Sequence, residues 1–145
     1  MDNPDAPGGN IREIASWRSY VSAVKPRKAG DVIGYGKGYT LEKDSLIATI
    51  GVGYGDGLDE RLCRERHKVL INGQLCPLLV CCMDQSMVDI TGLDCKAGDE
   101  VTIFGYDREG NSISSQQAAT LVGANEGCAF TSALSTRVAR IYINE

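Results

Sequence analysis

The sequence predicts a mainly β domain, a small β-barrel or closed sandwich, with one short helix near residues 114–122. Three observations favour this fold class. There are short runs rich in β-branched and aromatic residues, there are turn signals between the runs, and only one segment carries helix-capping residues. Glycine, a frequent turn residue, accounts for 17 of the 145 residues and separates most of the runs.

Seven runs fit β-strands because they are short, rich in Val, Ile, Thr and Tyr, and bounded by turn residues. They are Ser19–Val24, Ser45–Val52, Lys68–Ile71, Pro77–Cys82, Ser86–Ile90, Glu100–Phe104 and Val138–Ile143. Asn72-Gly73 lies between two of the runs and predicts a two-residue hairpin, since a type I′ turn requires positive φ at both central residues. Residues 96–99, KAGD, and 107–111, DREGN, predict two further turns.

The segment SQQAATLV is the predicted helix, because a capping serine precedes it and Gly123 can end it. Its apolar residues fall on one face, and they are Ala118, Leu121 and Val122. Residues 1–16 contain two prolines and two adjacent glycines, so they are predicted to be a linker. Residues 17–145 are then the domain.

Composition and charge exclude several classes of protein. Hydrophobic residues make up 43% and charged residues 23%, which is the composition of a folded domain. The 15 basic and 19 acidic residues give a net charge of −4 with no basic block, and aromatic residues are 6%, so nucleic acid is not expected as a partner. No apolar run approaches the roughly 20 residues of a membrane span.

The cysteines and the single histidine argue against a metal site. The chain has six cysteines, no Cys-x-x-Cys pair and one histidine, whereas structural zinc sites use paired Cys or His at short spacing. The cysteines are expected to be reduced thiols. His67 lies in the charged stretch RERHK and is expected in a solvated strand end or loop.

Four stretches stand out as motifs. They are AGDVIGYGKGYT (29–40), IGVGYGDGL (50–58), CMDQSMVDIT (82–91) and STRVARIY (135–142). In this order and at these spacings they resemble the C-terminal β-domain of the PLP-dependent alanine racemases, from about Ser22 to Ile143. One stretch alone is weak evidence, but four in order are independent signals.

The resemblance implies an isomerase of D-alanine biosynthesis, hence of peptidoglycan supply, that interconverts L- and D-alanine. It implies an N-terminal (β/α)₈ barrel whose lysine carries PLP, and a head-to-tail homodimer. The protein is then expected to be cytoplasmic, or to be a cytoplasmic domain of a membrane-anchored racemase. The Lys-Ala-x-Ala-Tyr-Gly stretch of that lysine has no match here. This chain is therefore expected to be one domain of a longer enzyme, to bind no PLP and to be inactive alone.

Racemisation needs a proton-transferring group on each face of the α-carbon. The resemblance implies that one is the PLP lysine and that the other is Tyr35, provided to the neighbouring subunit and tuned by a histidine and an arginine of its barrel. The alternative for Tyr35 is a packing tyrosine that covers the core. Tyr39, the second tyrosine of the motif, is interpreted as packing.

Three further residues match substrate-facing positions of the family. Tyr54 matches a tyrosine at the active-site entrance, with a buried turn tyrosine as the alternative. Met83 matches the residue whose backbone N–H meets the substrate carboxylate. Asp84 matches the aspartate beside it, with a turn aspartate that caps local N–H groups as the alternative.

Arg61 and Cys128 are predicted at the substrate entrance. Arg61 matches an entrance arginine, with an exposed surface arginine as the alternative. Cys128 stands where the family usually has a tyrosine, a position at which the vancomycin-resistance serine/alanine racemases also differ. A smaller side chain there leads to the hypothesis that serine is accepted as well as alanine.

Two other functions remain as alternatives. A standalone, non-catalytic β-domain with a regulatory or binding role would keep the fold without the barrel. A nucleic-acid-binding barrel would need a basic groove with interleaved aromatic residues, which this sequence lacks.

Overall fold

The computed structural model describes residues 14–36, 38–64, 67–124 and 127–143. These residues form nine strands and three short α-helices. The strands are β1 (Trp17–Arg27), β2 (Val32–Ile33), β3 (Tyr39–Thr40), β4 (Ser45–Ile50), β5 (Lys68–Ile71), β6 (Gln74–Cys81), β7 (Ser86–Asp89), β8 (Glu100–Tyr106) and β9 (Ser112–Ile113). The helices are α1 (Arg61–Arg64), α2 (Ser115–Leu121) and α3 (Cys128–Ser132), and Tyr54–Asp56 form a 3₁₀ turn.

Six antiparallel strands close into a barrel in the order β1-β4-β7-β6-β5-β8, and β8 pairs back with β1. β1 makes the closure because it is long enough to serve two neighbours. Its first part pairs with β8, from Trp17 to Tyr20, and its second part pairs with β4, from Val21 to Arg27. The register shifts after Val21, where the strand passes from one partner to the other. Closure removes the free edges of the sheet.

Apolar side chains from every barrel strand fill the interior. They include Val21, Ala48, Ile50, Val69, Ile71, Leu78, Val88, Val101, Ile103 and Phe104. The Phe104 ring lies at the centre of an aromatic group, 6.1 Å from the Trp17 ring and 6.2 Å from the Phe130 ring between centroids. Phe130 belongs to α3, so this group attaches the helical end of the chain to the barrel.

A second, smaller cluster lies on the outside of the barrel. Ile47 and Ala48 are neighbours in β4 and therefore face opposite sides of the sheet. Ala48 packs in the barrel interior, whereas Ile47 packs with Ile33 and Leu41. Tyr39 is half-buried against this cluster, which agrees with its interpretation as a packing residue. The cluster holds the β2–β3 hairpin against the barrel wall.

The predicted hairpin and the predicted helix are both present. Asn72 and Gly73 have φ of 47° and 72° between β5 and β6, as a type I′ turn requires. Ser114 caps α2, accepting the Gln116 N–H at 3.2 Å, and Gly123 follows the helix with φ of 74°.

The last predicted strand is wrong. Residues 138–143 form no strand, and Ile141, Tyr142 and Ile143 are exposed. Their β-branched and aromatic residues fit a strand, but the closed barrel offers no free edge with which they could pair. The prediction of a single helix is also incomplete, since α1 and α3 were not expected. They are four and five residues long and lack a helical period that sequence could reveal.

Of two other predictions, one is partly wrong and one is not tested. Leu121 was expected on the packed face of α2 but is exposed, and Ala119 is buried there with Ala118 and Val122. The predicted linker, residues 1–16, lies largely outside the described residues and stays a prediction.

His67 was expected in solvent, and this expectation is wrong. The residue is 5% exposed, because it continues the inward face of β5 on which Val69 lies. Its backbone N–H donates to the Leu62 carbonyl at 2.9 Å, and its own carbonyl accepts the Leu78 N–H at 2.8 Å. Burial lowers the pKa of the imidazole, partly offset by a hydrogen bond to the Ile103 backbone.

The buried imidazole makes the stability of the 145-residue chain sensitive to acid. The folded chain keeps His67 neutral to a lower pH than the unfolded chain, whose histidine titrates near pH 6.5. The contribution of neutral His67 is thus present above about pH 6.5 and is lost as the pH falls toward the lowered pKa. Relative to a His67→Gln variant, we expect an extra loss approaching about 1.4 kcal/mol per pH unit in that window. Urea unfolding at several pH values from 7 to 5 measures it, and equal slopes for both chains would contradict the prediction.

The six cysteines are thiols, with none in a disulfide. Among the described residues, no group of three or more His, Cys, Asp or Glu side chains is arranged to hold a metal ion. None of the helices in the described part of the chain combines the length and the apolar character of a membrane-spanning helix.

Candidate active site

Two exposed tyrosines from different loops meet outside the barrel. The Tyr35 hydroxyl lies 3.0 Å from the Tyr54 hydroxyl, a hydrogen-bond distance. Tyr35 is 64% exposed and Tyr54 is 41% exposed. The alternatives of a core-covering Tyr35 and a buried Tyr54 therefore do not fit.

The β2–β3 hairpin presents Tyr35. Gly34 and Gly36 flank it with φ of 85° and 67°, a backbone region that side chains disfavour. At Gly34 a Cβ atom would lie 2.7 Å from a methyl group of Val80 in β6, so only glycine fits this approach. The hairpin is thus packed onto β6 while the phenol at its tip projects outward.

The turn that carries Tyr54 is joined to the segment that carries Met83. The Tyr54 N–H donates to the Cys82 carbonyl and the Gly55 N–H donates to the Met83 carbonyl, both at 2.9 Å. A Cβ atom at Gly53 would lie 2.1 Å from the Cys82 carbonyl oxygen, so this junction needs a glycine. Gly53 and Gly55 both belong to the GYGDG motif. Their contacts with Cys82 and Met83 explain why the GYGDG motif occurs together with the CMD motif.

Met83 lies at the tyrosine pair. Its side chain is 50% exposed, and its backbone N–H faces the Tyr35 phenol oxygen. A backbone N–H beside two hydroxyl groups is an arrangement that can bind a carboxylate.

The contact with Tyr54 has a clear effect on Tyr35. The Tyr54 hydrogen bond, followed by partial removal from water, raises the pKa of Tyr35 to about 12, and the Met83 N–H opposes this only in part. At neutral pH the phenol in this chain is therefore protonated. It can donate a proton as it stands, whereas accepting one requires a nearby positive charge.

Asp84 is neither alone nor a cap for local N–H groups. Its carboxylate is bound by the guanidinium of Arg137, whose Nε also lies 3.3 Å from Asp56 Oδ1. Sequence reasoning assigned no role to Arg137, although the residue belongs to the fourth motif. The fourth motif indicates that Arg137 is part of the family pattern. Only the folded barrel, however, brings its guanidinium beside Asp56 and Asp84.

Arg61 lies on a different contact network. Its guanidinium binds Asp59, with Nη2 2.6 Å from Oδ2, and donates to the Val122 carbonyl at 2.8 Å. The hydrogen bond and the charge of Asp59 raise the pKa of Arg61, and the bond to Val122 ties α1 to the end of α2. Arg61 forms no hydrogen bond with Tyr35 or Tyr54, so its role at a substrate entrance stays a prediction.

Cys128 is the first residue of α3 and is exposed. Its helix packs on the barrel through Phe130. The role of Cys128 at a substrate entrance stays a prediction.

The described arrangement consists of two phenols, a backbone N–H and a guanidinium held by two carboxylates. These groups suit contact with a small amino acid. PLP attachment needs a lysine amine, and the expectation that this chain binds no PLP stays a prediction.

Comparison with known proteins identifies the family. The family profile described as "Alanine racemase, C-terminal domain" matches residues 14–142. The chain belongs to the alanine racemase family. The mainly β barrel predicted from sequence is the fold of this domain, and the resemblance seen in the four motifs is confirmed.

Alanine racemases of several bacteria are similar to the chain over nearly all its length. The enzyme of Cutibacterium acnes is 38% identical, over 99% of this chain and 38% of that protein. The enzyme of Clostridium novyi is also 38% identical, over 92% of this chain and 34% of that protein. The chain thus spans little more than a third of the length of these relatives, which are isomerases by name.

Solved alanine racemases share the fold. The structure from Clostridium difficile 630 superposes with a TM-score of 0.80 at 32% identity, over 92% of this chain and 34% of that chain. The structure from Bacillus anthracis with bound L-Ala-P gives 0.79 at 31% identity, over 89% and 32%. The alanine racemase C-terminal domain therefore accounts for the whole described barrel.

Proposed function

We propose that this domain provides the Tyr35 phenol as one of the two proton-transferring groups of an amino-acid racemase, to a PLP-bearing barrel of the neighbouring subunit. The observation that carries the proposal is the exposed Tyr35–Tyr54 pair with the Met83 N–H beside it, in a member of the alanine racemase family. A tyrosine used only for packing has no reason to be exposed at a glycine-flanked loop tip.

The chemistry explains why the phenol must come from a separate element. Inversion at an α-carbon removes a proton from one face and returns one to the other, so two groups must flank the carbon. PLP on the barrel supplies stabilisation of negative charge at that carbon. Tyr35 gives or takes the proton on one face, and the barrel lysine serves the other.

The raised pKa of Tyr35 supports a function in trans. In this chain the phenol has a pKa of about 12 and is a poor base at neutral pH. A cationic partner lowers a tyrosine pKa because it favours the phenolate. The resemblance implies a histidine and an arginine of the partner barrel in that role, so the isolated chain is inactive and a head-to-tail homodimer is active.

The substrate is a small amino acid, with alanine first. The Met83 N–H binds its carboxylate, and Tyr54 and Asp84 border the same site. Arg61 and Cys128 lie at the entrance. Cys128 leaves more space than the tyrosine usual in the family, so the proposal extends to serine as a second substrate. Rates with alanine, serine and larger amino acids test that extension, and a strong preference for alanine would contradict it.

A mixed-dimer experiment tests the contribution in trans. One full-length subunit carries Tyr35→Phe, and the other has its PLP lysine replaced. Each is inactive as a homodimer. In a mixed dimer the barrel of the first subunit meets the intact Tyr35 of the second, so one complete site forms. Random mixing gives about half mixed dimers, each with one of two sites active, hence about a quarter of wild-type activity.

The control is a mixture of two subunits that both carry Tyr35→Phe. If each site were built within one subunit, no combination would be active. Activity that stays at the level of the separate variants, with mixed dimers demonstrated by differential tags, refutes the proposal.

A further inference from the structure

Arg137 connects three segments of the site. Its Nη2 binds an Asp84 oxygen, its Nε lies 3.3 Å from Asp56 Oδ1, and its own N–H donates to Ser135 Oγ at 3.0 Å. The Ser135 N–H in turn donates to the Asp56 carbonyl at 3.0 Å. A guanidinium is suited to this position, because its planar fork can contact two carboxylates at once.

Each carboxylate is attached to a group of the candidate active site. Asp56 Oδ2 accepts the Gly53 N–H at 2.9 Å and so closes the turn that contains Tyr54. Asp84 directly follows Met83. Arg137 thereby sets the position of the Tyr54 turn relative to the Met83 segment, and its single positive charge faces both carboxylates.

We propose that Arg137 is a positioning residue, which clamps Asp56 and Asp84 so that the Tyr54 hydroxyl meets Tyr35 and the Met83 N–H is held facing this pair, where a substrate carboxylate binds. The inference rests on the proposed racemase function for its kinetic consequence. Its structural consequence, the joined pair of phenols, can be measured in this chain alone.

The charge of Arg137 has a second effect. The Asp84 hydrogen bond and the charge of Asp56 raise the pKa of Arg137, so it stays protonated. Without it, the Asp84 carboxylate is left unpaired one residue from the Met83 N–H. An unpaired carboxylate repels a substrate carboxylate, which weakens binding more than it slows proton transfer.

The first test is an NMR titration of the 145-residue chain with ¹³C-labelled tyrosine. The Tyr35 resonance is assigned by its loss in Tyr35→Phe. In Arg137→Ala we expect the tyrosine pair to separate and the pKa of Tyr35 to fall from about 12 toward about 10, the ordinary tyrosine value. Loss of a cation by itself raises a tyrosine pKa, so the sign of the change separates the clamp from a simple charge effect.

The second test is kinetic and uses the full-length enzyme. Arg137→Ala is expected to raise KM about tenfold, as one like-charge contact in a partly exposed site can do, with kcat changed less than about threefold. Adding Asp84→Asn should return KM toward the wild-type value. Arg137→Lys keeps the charge but not the fork, so KM should stay within about threefold while the Tyr35 pKa still falls.

Arg108→Ala is the matched control. Arg108 also pairs with an acid, at 2.9 Å from Glu100, but it lies at the β8–β9 turn. Arg108→Ala should change neither the pKa of Tyr35 nor KM. An unchanged Tyr35 pKa with an unchanged KM in Arg137→Ala, or equal effects of Arg108→Ala, overturns the inference. If the wild-type enzyme does not racemise amino acids, the proposed function fails, and the titration still decides whether Arg137 holds the pair.

Discussion

Under the proposed function, replacing Tyr35 with phenylalanine in the full-length protein is expected to lower kcat for racemisation by about 10²- to 10⁴-fold, the usual contribution of a positioned acid–base group. The substitution removes one oxygen atom and leaves the ring at the hairpin tip, where it is 64% exposed in this chain. The fold should therefore be unaffected. Racemisation followed by circular dichroism in both directions measures the effect.

Proton exchange gives a sharper result than the rate alone. In the proposed function, the barrel lysine still serves its own face of the α-carbon when Tyr35 is lost. One enantiomer should keep exchanging its α-proton with D₂O, while exchange of the other enantiomer and racemisation fall together. Equal loss of exchange for both enantiomers would contradict the assignment of Tyr35 to a single face.

Tyr39→Phe is the control for this experiment. Tyr39 lies four residues away on the same hairpin, but it is half-buried against the cluster of Ile33, Leu41 and Ile47. Loss of its hydroxyl should leave kcat within about twofold. A large loss of kcat in Tyr39→Phe would show that activity responds to any change in this hairpin. The effect of Tyr35→Phe would then not identify Tyr35 as a proton-transferring group.

The elements that local sequence predicts well are those determined by local physics. Asn72-Gly73 favours the positive φ of a type I′ turn whatever surrounds it, and Ser114 caps a helix by accepting the N–H of Gln116, two residues further on. The glycines of the two tyrosine motifs also have a local signature. The need for glycine at these positions comes from contacts that are distant in sequence, since Gly34 lies against Val80 and Gly53 lies against the Cys82 carbonyl.

The features that sequence misses depend on closure of the barrel. His67 looks solvated among charged neighbours, yet strand alternation turns it inward. The last apolar run has the β-branched and aromatic composition of a strand, yet β1 and β8 have already paired and the barrel has no free edge. Arg137 is 53 residues from Asp84 along the chain, so the pair exists only once the fold has formed. Motif order could point to the tyrosines but not to this contact.

Phe104→Ala is expected to be the most destabilising single substitution in the barrel, lowering the free energy of unfolding by about 3–5 kcal/mol. Phe104 is completely buried in β8, and its ring contacts Trp17 on one side and Phe130 on the other. Removing it leaves a cavity that three elements line and none can fill. Urea unfolding of the 145-residue chain measures the change in the free energy of unfolding. The slope of that free energy against urea concentration should be the same with and without the substitution.

Tyr20→Ala controls for loss of an aromatic ring, because Tyr20 lies on the neighbouring strand but is 52% exposed and should cost less than about 1 kcal/mol. Phe104→Leu keeps most of the volume and should fall between the two. Because a domain holds only about 5–15 kcal/mol in total, this intermediate variant keeps the comparison measurable if the alanine variant unfolds. Loss of the Phe104 ring is also expected to affect the candidate active site. Phe130 packs α3 on the barrel, and the segment after α3 places Ser135 and Arg137 beside Asp56. A loss below about 1 kcal/mol in Phe104→Ala would mean that the aromatic group does not connect barrel and helix as the packing indicates.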